Sequence, residues 1–384
     1  MEIEEIDKKY DKQPVVDLTM DDIVAAGNTD YQLLTFSWAL LDVCNYKCSY
    51  CSAKEFNQHT FINNNNLRTV WRRVLKTLSL NSIGIPFTVE LLGGEPTLHP
   101  DVHDIVTGLC KIDRCVQVEI TTNLSKPVKF FEKFNRPETS KVDVIASYHP
   151  EYYTPKFFEK VVEINDLEHI TITPLINLFH EKKYWSSTLK LIDDFKVAGV
   201  NVACNLLYSY AGNDFAPAYT DEFWEIFEPI MKQSLVNEQQ AVRSDHERLF
   251  LNEDGINKFF NKELTGSSPG FPETHRDIFE NLDEPTVLAR SRWIRLDENV
   301  YRSCRCDLML SDVDIYKNKL YQFKGWKCRP LMWEIQMDGT IVNHCTEEPI
   351  PVHKINKKNL TACIECPLTY CDCNTKYQYV KQKQ

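Results

Sequence analysis

Between residues 34 and 207 the chain alternates two kinds of segment. Short apolar runs, TFSWALL (35–41), FTVELLG (87–93), VQVEITT (116–122), VDVIASY (142–148), ITITPLI (170–176) and VNVACNLL (200–207), are rich in β-branched and aromatic residues and have the length of buried strands. Between them, LRTVWRRVLKTLSL, HDIVTGLCKI, KFFEKVVEI and STLKLIDDFKVAG repeat apolar residues at the spacing of amphipathic helices. Strand and helix alternate roughly six times, which predicts an α/β fold built on a parallel sheet with crossover helices.

Past residue 208 the alternation breaks. Residues 208–300 hold SYAGNDFAPAY, the aromatic amphipathic stretch DEFWEIFEPIMK and the loop-like TGSSPGFPETH, and are read as an insertion or cap facing the substrate. From 301 to 384 cysteines accumulate, and EIQMDGTIVNHC within that stretch predicts a hairpin with Asp338-Gly339 at its turn. The expected organisation is an N-terminal extension (1–33), a core (34–207), the insertion (208–300) and a cysteine-rich C-terminal domain (301–384).

Composition narrows the class. The 384 residues are 43% hydrophobic and 26% charged, with seven Trp, 17 Tyr and 20 Phe, enough to bury a substantial core. A net charge of −11 without a block of basic residues argues against nucleic acid as partner; VWRRVLK and ARSRWIR read more simply as solvated helix faces. The acidic N-terminus lacks the apolar core of a signal peptide, and no run of eighteen apolar residues occurs, so a cytoplasmic protein with no membrane association is expected. Fourteen cysteines in a reducing compartment point to metal rather than disulfides. Eleven of them fall in two regions, Cys44, Cys48 and Cys51 near the start and eight from Cys304 to Cys373 at the end, with only Cys110, Cys115 and Cys204 between.

The front group, CNYKCSYC (44–51), follows the first expected strand, GGEPTLHP follows the second, TNLS the third and YHPE the fourth. In parallel α/β folds the carboxyl ends of the strands are where chemistry is carried, so these polar sequences share one face. Three thiolates on a short loop can hold three irons of a four-iron, four-sulfur cluster and leave the fourth open. The alternative, a closed structural zinc site, needs a fourth ligand, for which His59 is the local candidate. In GGEP, Gly93 and Gly94 permit close backbone approach, Glu95 offers a carboxylate for an ammonium group, and Pro96 stiffens the turn.

With these residues the chain resembles the radical S-adenosylmethionine (radical SAM) superfamily. The resemblance rests on C-x3-C-x2-C with Tyr50 before the last cysteine, placed after the first of six strands, and on GGEP after the second. It implies a partial (β/α)6 TIM-like barrel of the radical SAM type, a cluster on Cys44, Cys48 and Cys51, and S-adenosylmethionine chelated at the open iron. It also implies cleavage to a 5'-deoxyadenosyl radical that takes a hydrogen atom from substrate, with flavodoxin or ferredoxin as external electron donor. By the same resemblance Tyr50 lies near the adenine and Gly93, Gly94, Glu95 and Pro96 meet the amino group. Thr122, Asn123 and Ser147 match softer positions at the ends of the third and fourth strands, the alternatives being a helix cap or Asx turn made by Asn123 and a satisfied loop serine at Ser147. His149 is read as structural.

The rear cysteines resemble the twitch and SPASM auxiliary-cluster regions of the same superfamily. GWKCRPLMWEIQMDGTIVNHC matches the first half of those regions, whereas the C-x2-C-x4-C-x-C end is tighter than their usual spacing. One auxiliary cluster is expected on Cys328, Cys345, Cys363 and Cys366, with Cys371 or Cys373 able to replace one of them or join a second. Cys304 and Cys306 are left unassigned. Cys110 and Cys115 read as packing residues, and Cys204, on the sixth strand, as a buried thiol or a hydrogen-atom donor. The resemblance implies a peptide or sugar-like small-molecule substrate, with a nucleic acid or nucleotide as the alternative. With about thirty mostly polar residues before the first strand, no separate N-terminal peptide-recognition domain is expected.

Overall fold

The computed structural model describes residues 34–51, 64–80, 83–207, 323–330 and 332–367 except 344. Beyond these it describes short pieces at 19–26, 220–230, 249–251, 293–303 and 380–382, each in part or whole. The chain divides into two compact units, one of residues 32–241 and 331–360, the other of residues 1–31, 242–330 and 361–384.

Six strands of the first unit pair in parallel and in chain order: β1 (Leu34–Leu41), β2 (Phe87–Gly93), β3 (Cys115–Thr122), β4 (Val142–Tyr148), β5 (Ile170–Leu178) and β6 (Ala203–Leu206). The joining helices are α1 (Asn64–Ser79), α2 (Val102–Cys110), α3 (Val128–Phe131), α4 (Pro155–Asn165) and α5 (Trp185–Val197). This is the α/β architecture expected, and the strand bounds lie within a few residues of the apolar runs. The strands are buried because their apolar residues meet the helices: Phe36, Val89, Ile120 and Val144 lie in the same core as Val74 and Leu78 of α1, Val106 and Leu109 of α2, and Leu191 and Phe195 of α5.

The junction of α5 and β6 shows how local sequence sets an element's end. Gly199 adopts φ +72° and its N–H donates to Lys196 O, while Val200 N–H reaches back to Phe195 O. That pair of bonds is a Schellman cap, which closes the helix with a left-handed residue and turns the chain toward the next strand.

Three further strands extend the same sheet beyond β1. β7 (Met332–Ile335) runs parallel to β1, with Trp333 opposite Phe36 and Ile335 opposite Trp38. The chain then turns at Asp338-Gly339, where Gly339 has φ +81°, into β8 (Thr340–Asn343) and β9 (Thr346–Pro351), both antiparallel. The hairpin expected at this place is therefore present, but within the barrel sheet rather than with the rest of the C-terminal cysteine region. Its buried Trp333, Ile335 and Ile341 belong to the barrel core. Open sheet edges attract a strand that supplies both backbone hydrogen bonds and an apolar face.

The second unit contains a seven-stranded sheet in the order 364–365, 327–329, 380–382, 23–26, 249–251, 300–303 and 293–297, antiparallel in every pair. Strand Ile23–Ala26 pairs with Leu249–Leu251 and Val380–Gln382, so residues expected to form a separate extension, insertion and terminus share one sheet. Among the described residues no helix is long and apolar enough to cross a membrane.

Candidate cofactor site at the carboxyl ends of the strands

The cysteine loop leaves β1 at Leu41 and is fastened at once to the end of β2. Gly94 N–H donates to Leu41 O (2.7 Å) and Glu95 N–H to Val43 O (2.9 Å). The two glycines are required by this contact: a Cβ on Gly93 would sit 2.1 Å from Leu41 O, and one on Gly94 would sit 2.3 Å from Val43 O. Gly93 also has φ +130°, which other residues avoid. The close approach expected of these glycines is thus made by the start of the cysteine loop itself.

Glu95 is 1% exposed and its carboxylate gathers the neighbouring turns. Oε1 accepts from Thr97 N–H (3.0 Å), from the Thr97 hydroxyl and from the Thr122 hydroxyl (2.7 Å), while Oε2 accepts from Asn123 N–H (2.7 Å). Three of the four donors thus meet Oε1 and one meets Oε2. Pro96 opens the short 3-10 turn Pro96–Leu98, for which Glu95 is the N-cap. Thr122 accepts in turn from Leu124 N–H (3.1 Å), and Leu124 holds φ +54°, uncommon for a branched residue.

Asn123 joins the ends of β3 and β1. Its Nδ2 donates to Asn45 Oδ1 (2.9 Å) and lies 3.7 Å from Cys44 Sγ, while its Oδ1 accepts from Ser125 N–H (3.0 Å). The Asx turn foreseen as an alternative is present, and the same side chain also reaches the cysteine loop. Ser147, 8% exposed, stands near the end of β4 opposite Leu175.

The three thiols occupy a half-buried patch. Burial pushes the Cys48 thiol up to about 11, with Cys51, Glu151 and Cys44 adding to the rise, and burial likewise raises Cys44. Three sulfurs that resist ionisation when close together ionise readily on a cation-rich partner. Among the described residues no three His, Cys, Asp or Glu side chains converge on a single point as they would around one metal ion. A four-iron cluster makes no such demand, since each thiolate takes a different iron. His59 lies outside the described residues.

The segment after β4 contributes more than expected. His149 Nδ1 lies 2.9 Å from Tyr50 Oη and 3.4 Å from Cys48 Sγ, and its ring stacks on Tyr50 at 6.1 Å and 7°. Burial lowers the His149 pKa to about 4, so the ring is neutral near pH 7. Tyr50 also packs against Phe179 at 5.1 Å. His149, read as structural from the sequence, therefore touches both an expected cluster ligand and the expected adenine-side aromatic. Glu151 and Tyr152 bind the loop backbone and went unforeseen; the one signal was the clustering of polar and aromatic residues in YHPEYY at a strand end.

Residues 38–208 match the family model of the radical SAM superfamily. By this match the stretch resembles a radical SAM domain. The match runs from Trp38, within β1, through β6 and takes in the whole of the site just described, and the α/β sheet is consistent with a partial radical SAM barrel. Two GTP 3',8-cyclases, from Clostridium perfringens strains SM101 and 13, are each 35% identical over 85 residues, or 22% of this chain. The chain spans 25% of the length of these curated relatives. A crystal structure of Streptococcus suis SuiB is similar with a TM-score of 0.44 at 11% identity, over 86% of this chain and 66% of that one. SuiB bound to the precursor peptide SuiA gives 0.44 at 12% identity, over 94% and 68%.

A radical SAM domain implies a four-iron, four-sulfur cluster and S-adenosylmethionine. The thiols of Cys44, Cys48 and Cys51 suit the cluster by number, burial and position at the end of β1. Of the Glu95 carboxylate, Oε1 is taken up by three donors of the chain and Oε2 by one, which leaves acceptor capacity on Oε2.

In the second unit, Cys328 pairs with Ile364 across neighbouring strands, and Cys363 directly precedes that pair's second strand. Cys366 joins them through its N–H to Trp326 O (2.8 Å) and its carbonyl from Gly325 N–H (3.0 Å). Cys345 belongs to the barrel unit. Cys304, Cys306, Cys371 and Cys373 lie outside the described residues. Cys110 and Cys115 are buried in the core, where burial lifts their thiols to about 11 and about 12, in keeping with a packing role.

Proposed function

We propose that the protein is a radical SAM enzyme whose front cysteines, Cys44, Cys48 and Cys51, hold a four-iron, four-sulfur cluster with one iron open for S-adenosylmethionine. The observation carrying this reading is the fastening of the C-x3-C-x2-C loop to GGEP: backbone bonds from Gly94 and Glu95 lock the loop's start at the carboxyl ends of β1 and β2. When bound, the reduced cluster and S-adenosylmethionine supply a 5'-deoxyadenosyl radical that removes a hydrogen atom from substrate. The chain's own part is positional. Asn123 ties Asn45 and Cys44 to β3, Glu95 fixes the turns beneath, and Tyr50, braced by His149 and Phe179, presents an aromatic wall suited to the adenine.

A second cluster is part of the proposal. Cys328, Cys363 and Cys366 share one corner of the second unit's sheet, which supports an auxiliary iron–sulfur site, with Cys371 or Cys373 as fourth ligand. Such a region, resembling twitch and SPASM domains, goes with a peptide or sugar-like small molecule as substrate and a flavodoxin or ferredoxin as donor. A nucleotide substrate is the second reading, favoured by the 35% identity to the GTP 3',8-cyclases.

Loading tests the assignment. Anaerobically reconstituted protein is expected to be brown, and S-adenosylmethionine to alter the electron paramagnetic resonance spectrum of the reduced front cluster. Cys48→Ala is expected to lose that response while retaining the auxiliary iron. A colourless protein carrying zinc contradicts the reading.

A further inference from the structure

Two backbone N–H groups of the cysteine loop are held by side chains from one short segment about a hundred residues away. Ser49 N–H donates to Glu151 Oε2 at 2.7 Å, and Lys47 N–H donates to Tyr152 Oη at 2.9 Å. The Tyr152 ring lies flat on Tyr46 at 4.3 Å and 6°. Pro150, buried, opens the 3-10 turn Pro150–Tyr152 and fixes the direction in which Glu151 and Tyr152 leave β4. The loop between Cys44 and Cys51 contains no helix or strand, so its conformation depends on such external bonds.

The two bonds differ in one respect. Tyr152 offers a neutral acceptor, whereas Glu151 brings a negative charge to the residue next to Cys48. A charge-assisted bond is the stronger of the two. The charge also bears on whatever Cys48 binds, because the potential of an iron–sulfur cluster depends on the charge and hydrogen bonding around it. An added electron is repelled by a fixed anion nearby; the Ser49–Glu151 bond is solvent-exposed, so that repulsion is screened in part but not abolished at this short range.

We propose that Glu151 is a positioning residue that holds the cysteine loop at Ser49 and, by its charge, lowers the reduction potential of the cluster bound there. This rests on the reading of Cys44, Cys48 and Cys51 as ligands of a redox-active cluster. No bond is made or broken by Glu151. Its effect is to make the reduced cluster a stronger one-electron donor.

Glu151→Gln separates the two roles, since the amide oxygen can still accept from Ser49 N–H while the charge is gone. Redox titration of reconstituted full-length protein, followed by electron paramagnetic resonance, is expected to show the front cluster's midpoint shifted to more positive potential in E151Q, with iron content as in the wild type. Tyr152→Phe, which removes the neutral acceptor and keeps the ring, is expected to leave the midpoint in place. Glu151→Ala is expected to share the positive shift with lower iron retention, and it answers the question if E151Q does not fold. A midpoint in E151Q equal to or below the wild-type value overturns the proposal, as does loss of the cluster from a folded E151Q. A wild-type protein that takes up no cluster overturns instead the reading on which the proposal rests.

Discussion

Glu95 shows how much a single buried side chain organises. Its four hydrogen bonds tie the turn after β2 to the end of β3, and the donors include two backbone N–H groups that no water can reach. Glu95→Gln turns part of that acceptor into a donor facing other donors, and an unsatisfied buried group costs about 1–3 kcal/mol. The apo protein is accordingly expected to unfold at lower temperature by circular dichroism, a readout independent of any cofactor. At this scale the sequence was informative wherever chemistry needs a residue type at a fixed spacing. Cys44, Cys48, Cys51 and the glycines of GGEP stood out for that reason. Glu151, Tyr152 and Asn45 did not, because side chains that satisfy backbone N–H groups recur in every loop and leave no distinctive spacing.

At the scale of elements, the six parallel strands and their helices followed from alternation of apolar runs and amphipathic stretches. Their ends are set by local chemistry that can be tested singly. Gly199 has open space around its Cα, so replacement by alanine meets no clash and the cost is purely that of a left-handed backbone. Gly199→Ala is expected to destabilise the barrel unit by about 1 kcal/mol, read as a shift in urea midpoint, with Gly199→Asn less affected. The pairing of β7 with β1 was not legible in the same way. The hairpin itself is local, signalled by Asp338-Gly339, whereas its partner lies about three hundred residues upstream and is chosen by an edge that only the folded sheet presents. The same reason accounts for strand 23–26, whose partners at 249–251 and 380–382 lie far along the chain.

For the whole molecule, the cysteines are divided between two units. The front cysteines belong to the barrel, and Cys328, Cys363 and Cys366 to the antiparallel unit. Counting cysteines along the chain grouped residues 301–384 as one domain; folding assigns 331–360, with Cys345, to the barrel. Cys328→Ala is expected to lower total iron and labile sulfide while leaving reductive cleavage of S-adenosylmethionine intact, which iron analysis and product assay on one sample can check. The central claim is that the front site performs that cleavage. The most direct measurement is chromatography of 5'-deoxyadenosine after anaerobic incubation of reconstituted protein with S-adenosylmethionine and a strong reductant. The account predicts 5'-deoxyadenosine from the wild type and none from Cys48→Ala; its absence from wild-type protein bearing an intact, reduced front cluster would contradict it.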